Sequence, residues 1–320
     1  MKRALLFVLA VLASFAVQAQ AWPTKPVTLV NPFAPGGGVD AFGRPLSIVL
    51  SRNLGQQFLV ENLAGAGGTV GAANAAKRSP DGYAFFLGAV HHTIAESLYT
   101  KLPYSLERDF VPITVLSYVP NVVVVHPKHT NLNSIRELIA FAKANPGKLN
   151  YGSAGNGTTH HLAGELFKTM TGVQLTHIPY KGAGPMMQDL LAGQVDMAFD
   201  GMGTSAPQIR AGKLKALAVT TAQRSFVDPS VPTMQEAGMP GYVVTTWYAL
   251  WGLRGTPKEA LDRMYQETVK ALQSPELKVV WESQGATAGG EPPAEFTKLV
   301  HSEIEKWAKV VKDAGAKVDN

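Results

Sequence analysis

Two glycine-rich turns are the segments of this sequence best suited to bind an anion. Gly36-Gly37-Gly38 and Gly155-Asn156-Gly157 each lie between a predicted strand and a predicted helix, and Thr158 and Thr159 add hydroxyl groups to the second turn. Unpaired N–H groups and the positive end of a helix dipole meet at such a turn, and glycine lets a ligand approach the backbone. Either turn alone could be merely structural, but as a pair in equivalent places they favour an anion site built from backbone.

Several side chains near these turns are candidates for the same site. Asp40 falls in the first turn of a predicted helix, where capping is its default role. Asp200 ends a predicted buried strand and could either take an ammonium or hydroxyl group or cap the next loop. His161 lies near a helix N-terminus, from which it could reach a bound carboxylate. A tryptophan such as Trp247 most often belongs to the hydrophobic core, but on a strand between two lobes its side chain could form a wall of the cleft.

The sequence lacks the spaced motifs typical of metal sites, cofactor sites and catalytic centres. The pairs His91-His92 and His160-His161 hint at a metal, but no fixed ligand spacing links them, so no metal is expected. Gly65 to Gly71 departs from the dinucleotide fingerprint and no Gly-Lys-Ser/Thr occurs, so no cofactor is expected. No nucleophile elbow or His-Glu-x-x-His is present. An exported enzyme that uses His91, His161 or Asp200 as acid or base stays open as an alternative.

Composition narrows the class of protein. The chain has 320 residues, of which 46% are apolar and 17% charged, and it has no cysteine. This length and apolar content predict two folded domains, and the lack of cysteine excludes disulfides, thiolate metal sites and a cysteine nucleophile. The formal charge of +5 is not clustered, since the longest basic run is Lys77-Arg78. Nucleic-acid binding is therefore not expected.

The N-terminus predicts export. Lys2 and Arg3 precede an apolar run over residues 4–17, and Ala19-Gln20-Ala21 supplies small residues for a signal peptidase. The run is shorter than the roughly 20 residues that span a bilayer. We expect residues 1–21 to be a signal peptide cleaved after about Ala21, and the mature protein to be periplasmic. Without a cysteine at the cleavage site it cannot be lipid-anchored.

The elements that must position these residues alternate between strand and helix. Strands are predicted over 27–33, 58–61, 83–87, 149–153, 174–179, 195–200 and 214–220, with helices between them and a helical C-terminal quarter. This pattern predicts a parallel sheet with helices on both faces. No long linker occurs, so two lobes must be joined by crossing strands near 115–125 and 242–253. The predicted lobe 1 comprises residues 22–121 and 246–320, lobe 2 comprises residues 122–245, and the ligand cleft lies between them.

These segments together resemble the Bug (TctC-type) family, the periplasmic solute-binding proteins of the tripartite tricarboxylate transporter system. The resemblance runs in order along the chain after residue 21. It is carried by Pro32-Phe33-Ala34-Pro35-Gly36-Gly37-Gly38-Val39-Asp40, Gly65-Ala66-Gly67-Gly68, Ser79-Pro80-Asp81-Gly82-Tyr83, Leu149-Asn150-Tyr151-Gly152-Ser153-Ala154-Gly155-Asn156-Gly157-Thr158, His161-Leu162-Ala163-Gly164-Glu165-Leu166-Phe167, Pro179-Tyr180-Lys181-Gly182 and Gly193-Gln194-Val195-Asp196. It implies an α/β, two-lobed periplasmic-binding-protein (type II) fold that closes on a small organic acid.

The resemblance also implies which residues contact the ligand. Backbone N–H groups and ordered waters would hold the ligand's carboxylates. The matching positions are Phe33, Pro35, Gly36, Gly37 and Asp40 in the first loop, Ser153, Asn156, Gly157 and Thr158 in the second, Tyr180, Lys181, Gly182 and Ala183 in a further cleft segment, and Asp200 in the second lobe. Two segments depart from the commonest family pattern, namely residues 90–95, which include His91, and the pair Thr159-His160. Because both segments would border the variable half of the ligand, specificity cannot be carried over from a relative.

The implied function is that of a receptor rather than an enzyme. The ligand would be a di- or tricarboxylate, an acidic amino acid or an aromatic acid, delivered to the membrane subunits of a tripartite tricarboxylate transporter. A monomer is expected. A ligand-sensing module for a membrane kinase would use the same closure of the lobes and remains an alternative to the transport receptor.

Overall fold

The computed structural model describes residues 22–313, in which strands and helices alternate along the first two thirds of the chain. The strands are β1 (Val27–Asn31), β2 (Phe58–Asn62), β3 (Ala84–Ala89), β4 (Phe110–Val125), β5 (Asn150–Ser153), β6 (Thr176–Pro179), β7 (Met197–Gly201), β8 (Lys215–Val219), β9 (Thr245–Leu253) and β10 (Thr287–Ala288). The helices are α1 (Gly38–Leu54), α2 (Thr69–Ala75), α3 (His91–Leu98), α4 (Leu106–Asp109), α5 (Ile135–Ala144), α6 (Thr159–Thr171), α7 (Ala183–Leu191), α8 (Met202–Arg210), α9 (Lys258–Leu272), α10 (Pro275–Ser283) and α11 (Pro293–Asp313).

The sheet is mixed, whereas the sequence predicts a parallel one. Its main path runs β2-β1-β3-β9-β4-β7-β5-β6, and β8 and β10 pair with β4 beside that path. β1 is parallel to both β2 and β3, and β5 is parallel to both β6 and β7, as strand-helix-strand units require. β9 runs antiparallel to β3 and β4, and β4 runs antiparallel to β7. Every strand pair that includes β4 or β9, the two long strands that cross between the lobes, is therefore antiparallel.

The long strand β4 connects two groups of strands. Its first part, up to Pro120, pairs with β9, and from Asn121 onward it pairs with β7 and β8. The return crossing begins at Thr245, which pairs with Pro120. This switch lies within one residue of the predicted lobe boundaries, and on that ground we propose the division into residues 22–121 with 246–320, and 122–245. The fold is an α/β, two-lobed one.

The apolar core follows the same division. Phe86, Trp251 and Phe296 belong to a cluster in the first lobe, and Tyr151 and Phe167 belong to a cluster in the second. A third cluster contains residues of both lobes, with Phe33, Phe42 and Val39 from the first and Ala183, Met186 and Ala198 from the second. Burial of a large apolar side chain stabilises by about 1.5–3 kcal/mol. The two lobes therefore share apolar contacts in addition to their connecting strands.

Caps define the helices that matter for the site. Thr158 is the N-cap of α6, and its hydroxyl accepts a hydrogen bond from the His161 N–H at 3.4 Å. Ser134 caps α5 in the same way, through a hydrogen bond from the Glu137 N–H at 3.2 Å. The predicted signal peptide, residues 1–21, lies outside the described residues. Within residues 22–313, no helix combines the length and the apolar character needed to cross a membrane.

Candidate functional site

A small, partly open cavity lies where the two lobes meet. The volume in it that water can occupy is about 10 Å³, roughly the space of one water molecule. Residues of both lobes line it, namely Phe33, Gly37, Gly38, Val39, His91, Ala154, His160, Ala183 and Tyr248. The lobes are therefore in close contact at this point, and a solute larger than water fits between them only when they move apart.

The N-termini of four helices converge on this cavity. Gly38 and Val39 begin α1, His91 begins α3, His160 is the second residue of α6, and Ala183 begins α7. The first-turn N–H groups of a helix have no intrahelical partner and carry its positive partial charge. Two of these helices come from each lobe. An anion in the cavity would therefore be attracted by both lobes together.

The N-termini of α1 and α7 approach each other closely. A Cβ placed on Gly37 would lie 3.4 Å from the Ala183 nitrogen and 3.5 Å from the Gly184 nitrogen. Two positive helix ends repel each other unless negative charge lies between them. Glycine at position 37 thus leaves room for an anion, or for the close approach of the two lobes around it.

Asp40 fixes the loop between β1 and α1. Its side chain is 6% exposed, and Oδ2 accepts hydrogen bonds from the Gly36 N–H at 3.0 Å and from Arg44 Nε at 2.8 Å. Oδ1 accepts from the amides of Asn31 and Asn62, each at 3.2 Å. Burial by itself raises the pKa of Asp40, but hydrogen bonds from Arg44, Gly36 and Asn62 outweigh it and hold the pKa below its usual value. Its contacts therefore place Asp40 as a group that positions the glycine loop.

The same loop shows why glycine is needed at residue 36. Gly36 has a φ of +79°, in the left-handed region, which costs other L-residues about 1–2 kcal/mol. This conformation turns the Gly36 N–H toward Asp40. Pro35, the preceding residue, lies against the second lobe, because a Cβ on Gly184 would collide with the Pro35 carbonyl oxygen. The first loop is thus held by Asp40 on one side and packs against α7 on the other.

The loop between β5 and α6 is closed by its own hydrogen bonds. Ser153 Oγ accepts from the Gly155 N–H at 3.1 Å and pairs with His177 Nε2 at 2.6 Å. The Thr158 hydroxyl donates to the Gly155 carbonyl at 2.7 Å. The Gly157 N–H donates to His161 Nδ1 at 3.2 Å, so this N–H is already used within the protein. The predicted residues Ser153, Gly157, Thr158 and His161 therefore shape the loop that starts α6.

His161 is turned away from the cavity. Its ring stacks on that of His177 with the centroids 4.2 Å apart, and Nε2 lies 4.0 Å from Glu165 Oε1. Burial lowers the pKa of His161 below its usual value, while Glu165 raises it by a smaller amount. Asn156, in the same loop, accepts a hydrogen bond from the Tyr99 hydroxyl at 3.2 Å through its carbonyl oxygen. That contact joins the loop to the first lobe.

The segment before α7 contacts the first loop through its backbone. The Ala34 N–H donates to the Lys181 carbonyl at 3.0 Å across the lobes, while the Lys181 side chain is exposed. The Tyr180 hydroxyl donates to Asp189 Oδ2 at 2.7 Å. Gly182 is the N-cap of α7, and Ala183 is buried and lines the cavity. Of the predicted segment 180–183, only Ala183 reaches the cavity.

His91 joins the two lobes at the cavity wall. Its Nδ1 accepts a hydrogen bond from the Thr159 N–H at 3.2 Å, at the N-terminus of α6. The Thr159 hydroxyl in turn pairs with the Thr246 hydroxyl at 2.6 Å. Burial, and then the neighbouring His160 and His92, hold the pKa of His91 well below its usual value. His91 is therefore neutral, with Nδ1 as the acceptor and Nε2 carrying the proton.

His160 and Asp200 form a second buried pair beside the cavity. The side chains are 2% and 0% exposed, and His160 Nδ1 lies 3.4 Å from Asp200 Oδ1. Asp200 Oδ2 accepts hydrogen bonds from the Ser205 hydroxyl, at 2.6 Å, and from the Thr204 hydroxyl at the start of α8. One carboxylate oxygen therefore binds the α8 segment, as the capping interpretation expects, and the other faces His160.

The structure corrects the expectation for Trp247. Its indole is buried in the first lobe, packed edge-on against Phe296 with the ring centroids 5.7 Å apart, and 5.9 Å from Trp251. The next residue, Tyr248, lines the cavity instead. Successive side chains of a strand point to opposite faces, so Trp247 and Tyr248 cannot both face the cleft. The register of β9, which the sequence does not give, decides between them.

Five residues of the cavity wall were named from the sequence and four were missed. Phe33, Gly37, His91 and Ala183 were named as site residues and Gly38 as part of the first glycine turn, whereas Val39, Ala154, His160 and Tyr248 were not assigned to the site. Val39 and Ala154 adjoin the glycine turns and could have been found there. His160 and Tyr248 become candidates only when the lobes are placed against each other.

A larger open groove lies elsewhere, beside Tyr118, Pro120, Thr245 and Phe226. No helix N-terminus lines it, and none of the predicted site residues does. We therefore assign the site to the smaller cavity, where helix ends from both lobes meet. Within residues 22–313, no three histidine, aspartate or glutamate side chains are placed to hold a metal ion together.

Comparison with known proteins identifies the family. Residues 43–316 match the model of the tripartite tricarboxylate transporter family receptor, TctC. The fold is similar to that of the periplasmic binding protein BugD, with a TM-score of 0.89 and 35% identity over 93% of this chain and all of BugD. These similarities confirm the resemblance that the sequence motifs indicate and the two-lobed fold.

Two further solved structures carry organic acids. An R. palustris protein solved with adipate has a TM-score of 0.89 and 39% identity over 93% of this chain and all of that one. MatC from Rhodopseudomonas palustris, solved with bound malate, has a TM-score of 0.85 and 32% identity over 91% of this chain and all of MatC. This chain therefore belongs to the TctC family of periplasmic solute-binding receptors, whose members bind small carboxylates.

Proposed function

We propose that this protein is an extracytoplasmic receptor that binds one small carboxylate between its lobes and delivers it to a tripartite tricarboxylate transporter. The observation that carries the proposal is the convergence of four helix N-termini, two from each lobe, on one cavity. Such ends bind anions through backbone N–H groups. The relatives solved with adipate and with malate support a carboxylate as the anion.

The electrostatics of the cavity suit a carboxylate bound without a cationic side chain. Among the described residues, none of the nine that line it is lysine or arginine. Charge-assisted hydrogen bonds contribute about 1.5–3 kcal/mol each. A few of them, after the cost of ordering, are enough for about 8 kcal/mol, which corresponds to micromolar binding.

Closure of the lobes would complete the site. Contacts between the lobes include the hydrogen bonds from Ala34 to Lys181 and from Thr159 to His91. The cavity is too small for a carboxylate until such contacts open, and β4 and β9 are the strands about which the lobes can hinge. A membrane subunit would then recognise the surface that the protein presents in its closed form. We further propose export to the periplasm with cleavage after about Ala21, and a monomeric receptor.

The test is binding of carboxylates to refolded protein that has been stripped of bound solute. Thermal unfolding is recorded with a panel of acids and with their neutral amides. A ligand at 100 times its dissociation constant stabilises by about 2.7 kcal/mol, which raises the midpoint by several degrees. A shift with an acid and none with its amide is expected. Equal shifts with acid and amide would contradict the anion site.

A graded pair of variants at Gly37 locates the site. Gly37 has an extended backbone with a φ of −86°, so other residues are tolerated without strain. Gly37→Ala adds a Cβ at ordinary contact distance from the start of α7 and should weaken binding modestly. Gly37→Val adds two methyl groups between α1 and α7 and should abolish binding, while the unfolding midpoint of the ligand-free protein changes little. Unchanged affinity in the valine variant would place the ligand elsewhere.

A further inference from the structure

His160 is a buried polar side chain whose ring nitrogens make no hydrogen bond. It is 2% exposed and lines the cavity, and neither Nδ1 nor Nε2 finds a partner among the described residues. Buried polar atoms are almost always paired, and an unpaired one is destabilising. A group at this position on the cavity wall is thus well placed to pair with a ligand.

Asp200 determines what His160 can offer. Its Oδ1 also lacks a hydrogen-bond partner and lies 3.4 Å from His160 Nδ1. A carboxylate beside one ring nitrogen of a histidine keeps the proton on that nitrogen. The other nitrogen, Nε2, is then a hydrogen-bond acceptor. Burial lowers the pKa of His160, with a smaller opposing effect of Asp200, so the ring is neutral and retains this lone pair.

The groups around His160 leave the acceptor unused. The His91 ring lies edge-on with its centroid 6.2 Å away, and the Nδ1 of His91 is occupied by the Thr159 N–H. The Tyr248 hydroxyl and His160 Nε2 lie 3.7 Å and 4.0 Å from the same point, the Cβ position of Gly201, yet no hydrogen bond joins them. Burial, and then Asp200, raise the pKa of Tyr248, so the phenol keeps its proton as a donor.

Tyr248 also connects this pair to the anion-binding end of α1. A Cβ on Gly38 would collide with the Tyr248 hydroxyl, so the phenol lies directly against the first residue of that helix. Donors for a carboxylate and an acceptor at His160 therefore lie within one small cavity. A bare carboxylate would use the donors and leave His160 Nε2 unpaired. A carboxylate with its own hydrogen-bond donor would use the same donors and pair with His160 Nε2 as well.

We propose that the His160–Asp200 pair selects carboxylates that carry a hydroxyl or ammonium group next to the carboxylate. His160 Nε2 accepts the hydrogen bond, and Asp200 is a positioning residue that fixes the histidine tautomer and balances an ammonium charge. The inference rests on the proposed function, since it assigns the ligand class of the same cavity. It adds that hydroxy acids or amino acids are preferred over plain acids of equal length.

The experiment uses matched acids that differ only at the second carbon. Dissociation constants are measured by calorimetry for three-, four-, five- and six-carbon acids, each as the plain acid, the 2-hydroxy acid and the 2-amino acid. For the chain length that binds, the hydroxy or amino acid should bind about tenfold tighter or more than the plain acid, as expected for a ligand hydrogen bond to a buried acceptor. Whichever of the 2-hydroxy acid and the 2-amino acid binds more tightly shows whether a hydroxyl or an ammonium group is the natural donor.

Two substitutions of similar size separate hydrogen bonding from packing. His160→Leu removes the acceptor and should reduce the preference to about twofold or less, whereas His160→Gln keeps a carbonyl acceptor and should retain part of it. His301→Gln is the control, because His301 is exposed on α11 and paired with Glu107. Asp200→Asn should also reduce the ratio of affinities, a quantity that a purely structural role would not change.

Each outcome supports or overturns the inference. A wild-type ratio near one for every chain length overturns it while leaving the carboxylate receptor intact. A preference that persists in His160→Leu also overturns it, because the acceptor is then elsewhere. If no acid of any series binds, the proposed function fails and this inference with it. If His160→Leu does not fold, the wild-type ratio and His160→Gln still decide.

Discussion

Removal of the Asp40 carboxylate is expected to destabilise the protein and to weaken ligand binding together. Asp40 accepts four hydrogen bonds, from Asn31, Asn62, Arg44 and the Gly36 N–H. In Asp40→Ala all four donors lose their acceptor. The Gly36 loop then loses the contact that fixes its left-handed turn beside the cavity.

The size of the destabilisation depends on which of the four donors water can reach in Asp40→Ala. Arg44 is 47% exposed, so its guanidinium is resolvated at little cost. Asn31 is 0% exposed, whereas Gly36 is exposed, so water can replace the lost acceptor of the Gly36 N–H at little cost. A buried donor without an acceptor costs about 1–3 kcal/mol, so the loss at Asn31 costs about 2 kcal/mol. For domains of this size that lowers the unfolding midpoint by about 4–8 °C.

Arg44→Ala is the matched control. It breaks the same ion pair from the exposed side and leaves the acceptor for the Gly36 N–H in place. Exposed ion pairs contribute about 0.2–1 kcal/mol, so this variant should unfold within about 1–4 °C of the wild type. Thermal unfolding of the ligand-free variants and calorimetry with the bound acid give the two readouts. If Arg44→Ala is as damaging as Asp40→Ala, the ion pair rather than the buried loop contacts carries the energy and the reasoning is refuted.

Three further predictions concern the histidines, the second loop and the core. Burial lowers the pKa of His92 to about 4, so the folded state binds fewer protons than the unfolded state between pH 6.5 and 4. The free energy of unfolding should thus fall as the pH falls through this window, by about 2 kcal/mol at pH 5 for His92. Urea titrations at pH 7.5 and 5 check the sign, and a rise toward pH 5 would contradict it. Gly157→Val should abolish binding, because its Cβ would lie 2.6 Å from Leu98 of the other lobe at a φ of +76°; unaltered calorimetry would show that this contact is not needed. Trp247→Ala should cost about 3–5 kcal/mol of stability with ligand selectivity unchanged, and a change in selectivity would return Trp247 to the cleft.

The local elements of this fold are readable from its sequence because they depend on neighbouring residues. The glycine turn after β1 and the start of α6 after the second glycine turn lie where the sequence predicts them, since a turn or a helix start is decided within about four residues. The predicted strands fall within a few residues of those observed. The helix α3, with His91 at its start, was not assigned, because neither a cap motif nor a strong apolar period marks it.

The site was predicted only in part because its residues meet through the tertiary structure. The partners of Asp40 come from β1, β2 and α1, and no short-range pattern specifies that they meet. Which of Trp247 and Tyr248 faces the cavity depends on the register of β9 against β3 and β4. A shift of one residue in that register would exchange the two side chains.

By itself the sequence determined the class of molecule: an α/β chain without cysteine, with paired glycine turns that lead into helices and motifs typical of the TctC family. These properties are local or compositional, so each can be read without knowing what packs against it. The tertiary structure alone decided that helix ends of both lobes enclose one cavity, and that His160 and Asp200 face each other there with unpaired atoms. The physical reason is that long-range distances follow from how β4 and β9 bring the two lobes together, and contacts between residues 160 and 200 have no signature in the chain between them.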